Sequence, residues 1–344
     1  VRPHPEADTA YSVGMATHDA EEARRPRSVR PRVIHSAQAL VDEVVEVASL
    51  PERGGNAVAT SYSRYAGGAV NILVAAARSG AVAVHAGSVG TGANGDLVRA
   101  ALAADGVALS SPVVPDSDTG ICVVMVEPSA ERTFVTTQGA ERDISVASLD
   151  TSAPVAGDLV CVSGFSLVGR TRDPLRQWLS GLADDVVVVL DPGDAFGSLD
   201  DSLREEVLAR TNVWTSNADE ALTLTGVQVE DDSAAAVALR LPDGAVAIVR
   251  DGSKGCHVHE AGHTAYLAGH PQEAVDTNGA GDTHTGVLLA ERARGADWLT
   301  AARRANAAGA IKVTRRGPAT APTAAEIDAF LAATGVAPVR VDRG

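Results

Sequence analysis

From residue 32 onward, short apolar runs alternate with helix-like stretches, a rhythm that predicts an α/β protein. Strand-like runs fall at 32–34, 41–47, 81–86, 158–162, 185–190, 213–215 and 245–249. Helix-like segments lie between them, for example 71–79, closed by Gly80, and 96–104, which ends before Asp105-Gly106. Runs such as 186–190 are apolar at consecutive positions, as in strands covered on both faces in a parallel sheet. The order changes at 120–126 and 132–137, which flank Glu127-Pro128-Ser129-Ala130 and predict a β-hairpin. Ligands of parallel sheets gather beyond the carboxyl ends of the strands, so the residues just after these runs carry the candidate chemistry.

The most informative of them is Val275-Asp276-Thr277-Asn278-Gly279-Ala280-Gly281-Asp282, followed by an apolar helix start at 287–290. Small residues leave the backbone bare, and the first amides of a helix lack partners and favour anions. Asp282 then has two readings, a base that takes a proton from an attacking hydroxyl or an ordinary N-cap. Asn217 and Glu220, three apart after the run 213–215, likewise fit either the water shell of a magnesium ion or a capping box. Arg250-Asp251-Gly252-Ser253-Lys254-Gly255 is a glycine turn after a strand and lacks Walker A spacing. Gly90-Thr91-Gly92-Ala93-Asn94-Gly95 matches a dinucleotide fingerprint, but the acidic residue at the expected distance, Asp116, lies in a turn rather than at a strand end.

Composition narrows the classes. With 344 residues and 45% hydrophobic content, the chain can bury a large core in one α/β domain or two smaller ones. It has no apolar run of ~18 residues, so no membrane span is expected. A net charge of −15 argues against a nucleic-acid surface, and an anionic substrate would need local positive groups. Cys122, Cys161 and Cys256 lack metal spacing and are expected to be buried reduced thiols of a cytoplasmic protein. Residues 1–30 lack apolar periodicity, so we expect a disordered extension without a secretion signal, and Met15 is a candidate start of translation.

Taken in order, a Gly-Gly-Asn segment, an Asn-x-x-Glu, a Gly-x-x-Gly turn and Asp-Thr-x-Gly-Ala-Gly-Asp resemble the PfkB (ribokinase-like) carbohydrate kinases over about residues 32–332. The resemblance implies a three-layer sandwich with a mostly parallel central sheet and a small β-sheet lid. It places the kinase domain at 31–335, the lid at about 42–66 and 112–138, and a tail at 336–344. It makes Asp282 the base and gives the anion hole to the amides of Gly279, Ala280 and Gly281. Asp42, Gly67, Gly68 and Asn71 would hold a sugar. Asn217 and Glu220 become the magnesium-linked pair, replacing the simple cap, and Gly252, Gly255 and Asn306 would lie along ATP. Carbonyls around Asp276, Asn278, Val313 and Gly317 would bind potassium, and the lid would form a homodimer contact.

Some positions depart from the family pattern. Arg250 stands for a Thr, His284 for a Phe and Ala66 for a Gly, and the ribokinase Lys between glycines is absent, which puts ribose itself in doubt. The expected activity is ATP-dependent phosphorylation of a primary hydroxyl of a small sugar. A nucleoside kinase is the alternative, with Phe134 and Phe165 as the aromatic candidates near substrate, and an inactive sugar-binding regulator stands behind it. His257, His259, His263 and His270 invite a metal site, for which strand histidines at the surface are the simpler account.

Overall fold

The computed structural model describes residues 30–129, 131–335 and 339–341. The expectations on the N-terminal extension and on Met15 lie outside the described residues. In chain order the first half runs β1 (Arg32–His35), β2 (Ala39–Val47), β3 (Ala59–Gly68), α1 (Ala69–Arg78), β4 (Val82–His85), α2 (Ala93–Ala104), β5 (Ala108–Leu109), β6 (Ile121–Val126), β7 (Arg132–Thr136) and α3 (Val146–Asp150). It continues with β8 (Leu159–Ser163), α4 (Arg172–Gly181), β9 (Val187–Asp191), α5 (Gly193–Gly197), α6 (Asp201–Leu208), β10 (Val213–Asn217), α7 (Ala218–Thr225), α8 (Ser233–Ala238) and β11 (Val246–Arg250). The last part comprises β12 (Gly255–Glu260), β13 (His263–Ala268), α9 (Ala280–Ala293), α10 (Trp298–Val313), α11 (Ala324–Thr334) and β14 (Val339–Val341).

A ten-stranded sheet has the order β14-β13-β12-β11-β10-β9-β8-β1-β4-β5. It is parallel from β11 to β5 and antiparallel from β11 to β14. The consecutive apolar positions are explained by two cores, one on each face. Leu159 and Cys161 of β8 join α1, α9 and α10 on one side, while Val160 and Val162 join α4, α6, α7 and α8 on the other. This is the expected three-layer sandwich. At its edge β14 pairs with β13, so part of the expected tail belongs to the sheet.

Four strands form the smaller sheet, in the order β3-β2-β6-β7. The predicted hairpin is present as β6 and β7, and β6 runs parallel to β2. The sheet begins at Ala39 rather than Asp42, and 112–120 lies outside its strands. Asp42 pairs with Tyr65 and Cys122, and Val124 pairs with Phe134, so pleat parity puts Asp42 and Phe134 on one face.

The dinucleotide-like glycines open α2, but that helix start already has its anion. Asp118 accepts from the amides of Asn94 at 3.2 Å and Gly95 at 2.9 Å, and these bonds hold its carboxyl below the ordinary range against the cost of burial. All three cysteines are free and buried. The ring of His257 packs 5.1 Å from that of Tyr266, and His259 Nδ1 lies 2.8 Å from Thr264 Oγ1. Among the described residues no group of histidines, cysteines and carboxylates has metal-binding geometry, and no helix is long and apolar enough to cross a membrane.

Candidate active site

Parallel strands deliver side chains to one end of the sheet. Asp191, Asn217 and Arg250 are the last residues of β9, β10 and β11, and Asn217 and Arg250 are register partners. The helix α9 starts beside them. Its N-cap, Gly279, has φ 76°, and a Cβ there would stand 2.7 Å from Pro318 O, so the close turn into the helix requires glycine. Asp282 lies in the first turn.

Asn71 from α1 donates through Nδ2 to Asp282 Oδ2 at 2.9 Å, while its buried Oδ1 has no partner. Gly67 lies so close to Asp42 that any Cβ would collide with the Asp42 carboxyl. Four of the expected acceptor-side residues, Asp42, Gly67, Asn71 and Asp282, therefore converge. Gly68 ends β3 with φ 62°, turning the chain into α1. Burial raises Asp42 to about 7, reinforced by the charge of Asp282. Burial likewise raises Asp282 to about 6, with Asp191 adding to the effect and Asn71, Arg250 and Lys312 opposing it.

On the other side of the Asp282 helix start lies a cavity of about 390 Å3. Asn217, Gly252, Gly255, Ala280, Gly281 and Asn306 all line it, which unites the expected nucleotide residues in one place. His284, whose role the sequence left open, is buried there with Nε2 3.1 Å from Asn306 Oδ1. Asn306 donates through Nδ2 to the carbonyls of Leu267 and Ala268, so its Oδ1 accepts and His284 carries its proton on Nε2. Burial holds His284 neutral, near 3, and leaves its Nδ1 without a partner.

Three expectations need correction. The amide of Ala280 donates to Thr277 O at 3.2 Å, which leaves Gly279, Gly281 and Asp282 to offer free amides at the turn. Asn217 and Glu220 form a full capping box, with Asn217 Oδ1 accepting from the Glu220 amide at 2.8 Å and Glu220 Oε2 from the Asn217 amide at 2.9 Å. Each side chain keeps acceptor capacity beside the cap, so the cap does not exclude the expected magnesium role. Burial and then the charge of Asp191 raise Glu220 to about 7, and burial raises Asp191 too.

Protein donors engage three of the four carbonyls expected to face potassium. Lys312 is fully buried, and its Nζ donates to Asp276 O at 2.9 Å and to Arg315 O at 3.3 Å. Val313 O already accepts from the amides of Val275 at 2.7 Å and Asp276 at 3.0 Å, and Gly317 O accepts from Thr320 Oγ1 at 2.8 Å. A side-chain ammonium, backbone amides and a threonine hydroxyl thus engage the carbonyls of Asp276, Val313 and Gly317.

Sequence reasoning missed Asp191 and Lys312 as members of the site and left Arg250 undecided. The signal for Asp191 was its place directly after a valine run at a strand's carboxyl end. Arg250 Nη1 donates to Thr215 Oγ1 at 2.8 Å and to Thr285 Oγ1 at 3.0 Å, which brings the guanidinium beside Gly281. Thr285 Oγ1 in turn lies 3.2 Å from Asp191 Oδ2.

The chain is similar to known proteins. The pfkB family carbohydrate kinase profile matches residues 38–325. The uncharacterized sugar kinase YegV of Escherichia coli is 29% identical over 313 residues, covering 87% of this chain and 94% of that protein. Ribokinase of Haemophilus influenzae is 29% identical over 300 residues, covering 84% and 95%. A crystal structure described as an E. coli ribokinase II in complex with ATP and Mg2+ superposes with a TM-score of 0.76 at 25% identity, covering 88% of this chain and 99% of that one. The match takes in the smaller sheet, both sides of the cleft and the Asp282 helix, and the chain is a kinase belonging to the PfkB carbohydrate kinase family.

Proposed function

We propose that the chain transfers the γ-phosphoryl group of ATP to a primary hydroxyl of a small sugar or sugar derivative. One observation carries the reading: the Asp282 carboxylate sits at the start of α9, between the acceptor cluster of Asp42 and Asn71 and the cavity lined by Gly281 and Arg250. The attacking hydroxyl in that cluster can donate to Asp282 and lose its proton to it, while a neighbouring hydroxyl of the acceptor donates to the orphaned Asn71 Oδ1; the raised pKa of Asp282 suits a base working near neutral pH. The unpaired amides of Gly279 and Gly281 and the Arg250 guanidinium face the developing phosphoryl charge. Asn217, Glu220 and Asp191 would hold Mg2+, which would supply positive charge to offset the negative charge of the phosphates. The smaller sheet, with Asp42 on its inner face, would exclude water and so protect ATP from hydrolysis. Exposed Tyr62 and Val135 on its outer face support a homodimer contact, which light scattering of the purified protein tests.

The nucleoside alternative rests on Phe134, half exposed on the face of the sheet that carries Asp42, where a base could stack. One assay decides: ADP release from MgATP with a panel of pentoses, hexoses, keto-sugar acids and nucleosides, run beside Asp282→Asn. We expect a sugar to trigger release and the variant to lose at least ~100-fold in kcat. Release with nucleosides alone moves the acceptor to that class, and an unchanged rate in the variant removes Asp282 as the base. Tight sugar binding with no release marks a regulator.

A further inference from the structure

We propose that Lys312 is a built-in monovalent cation: its ammonium occupies the carbonyl cradle that ties the 275–279 turn to the 312–318 segment, and makes phosphoryl transfer independent of potassium. The inference rests on the kinase reading above and concerns a positioning residue that touches neither substrate nor nucleotide.

The turn that feeds the anion hole is already tied to the 312–318 segment by the amides of Val275 and Asp276 on Val313 O. Asp276 fixes it through its carboxylate, with Oδ1 accepting from the Asn278 amide at 2.8 Å and Oδ2 from the Gly317 amide at 2.9 Å. Lys312 completes the knot. From the last turn of α10 its Nζ reaches Asp276 O on one segment and Arg315 O on the other, and stands 3.8 Å from Asp276 Oδ2. An ammonium has three donors and no acceptor, so two carbonyls from two segments with one carboxylate at their rim suit it as they suit a weakly hydrated monovalent ion. A buried charge persists only when paired and hydrogen-bonded, and both conditions are met here. The turn continues directly into Gly279, Gly281 and Asp282, so the same contacts set where the free amides and the base stand. A loss of position there costs rate rather than substrate affinity.

The test compares the unmodified enzyme, Lys312→Ala and Lys312→Met in Tris, sodium, potassium and ammonium chloride at equal ionic strength. Initial rates are read with the acceptor identified in the ADP-release assay, and thermal melts are recorded in parallel. The unmodified enzyme is expected to turn over at the same rate in all four salts, with an unchanged Tm. Lys312→Ala should lose about tenfold or more in kcat in Tris, with KM little changed, and regain much of it in potassium or ammonium, the two ions of matching size. Its Tm should rise with those ions and not with sodium, a readout that needs no activity. Lys312→Met, which fills the space without charge, should be slow in every salt. The proposal is overturned if potassium activates the unmodified enzyme several-fold, if Lys312→Ala keeps full rate in Tris, or if neither ion alters that variant's rate or Tm. Silence of the unmodified enzyme with every acceptor counts against the kinase reading, and the melts then decide the cation question alone.

Discussion

Arg250 is held at the end of β11 by the hydroxyls of Thr215 and Thr285, and these bonds fix its guanidinium beside Gly281. Such a preorganised donor stabilises charge that develops on a transferred phosphoryl group at little reorganisation cost. Arg250→Met is therefore expected to lower kcat about 100-fold with a smaller change in acceptor KM, as steady-state kinetics with varied sugar would show. Arg250→Lys should restore little, because a point charge does not reproduce the two-threonine fork. The residues legible in the sequence were those whose role is contained in one segment. Gly279 to Asp282 build a helix start from neighbours in the chain, and Asn217 and Glu220 are three apart on one helix turn. Arg250, Asp191 and Lys312 acquire their roles from partners on other strands and helices, and a single-chain pattern does not carry that information.

At the scale of elements, the distance between Asn71 and Asp282 is set by how closely α1 and α9 pack. Gly286 makes that approach possible. A Cβ at this position would run into Ile72 O and stand 2.7 Å from Ala75 Cβ. Gly286→Val should force the helices apart, cost about 1–3 kcal/mol of stability in denaturant melts, and lower kcat because the Asn71 bond to Asp282 lengthens. Gly226→Ala, at a helix end with open space around it, should perturb stability locally and leave kcat unchanged. The strand runs were legible because burial on two faces imposes continuous apolar positions, and the hairpin because its turn residues punctuate it. The dinucleotide-like glycines of α2 misled for a physical reason: they build a genuine anion site, and Asp118, more than twenty residues away, fills it. The glycine pattern reports the backbone, while the occupant is decided by tertiary structure. The strand β14 escaped notice because it pairs at a sheet edge, where periodicity is weakest.

Across the whole molecule, two sets of buried groups pull stability in opposite directions with pH. His35, His85 and His284 are held neutral by burial, near 3, 4 and 3, so the folded chain declines protons that the unfolded chain accepts below about 6.5. Stability from these histidines is present above that pH and is lost as the solution is acidified. Asp42, Asp282 and Glu220 are raised to about 7, 6 and 7, so the folded chain binds protons that the unfolded chain has released above about 4. Their contribution has the reverse sign: it is fully present below the unfolded value and is lost as pH rises through the folded values. The unmodified protein should thus show a shallow pH dependence of Tm where the two slopes cancel. Asp282→Asn removes one member of the second set, so its Tm should exceed that of the unmodified protein at about pH 8 and converge with it only below about pH 4. A Tm difference that is constant across this range would mean that the carboxylate carries no charge penalty in the fold. With Asp282 as the proposed base, the same ionisation would govern catalysis, because the base must be unprotonated to accept the hydroxyl proton. In the unmodified enzyme kcat/KM should therefore climb with pH through the range about 6–7 and level off above it, a limb that belongs jointly to Asp282 and Asp42. Asp42→Asn removes the second carboxylate and its repulsion, so the limb should move to lower pH even as KM for the sugar rises. A limb that stays in place in this variant would show that Asp42 does not share the proton equilibrium of the base. Above about pH 7 the site carries its carboxylates charged at the expense of stability, and a bound cation would offset that charge.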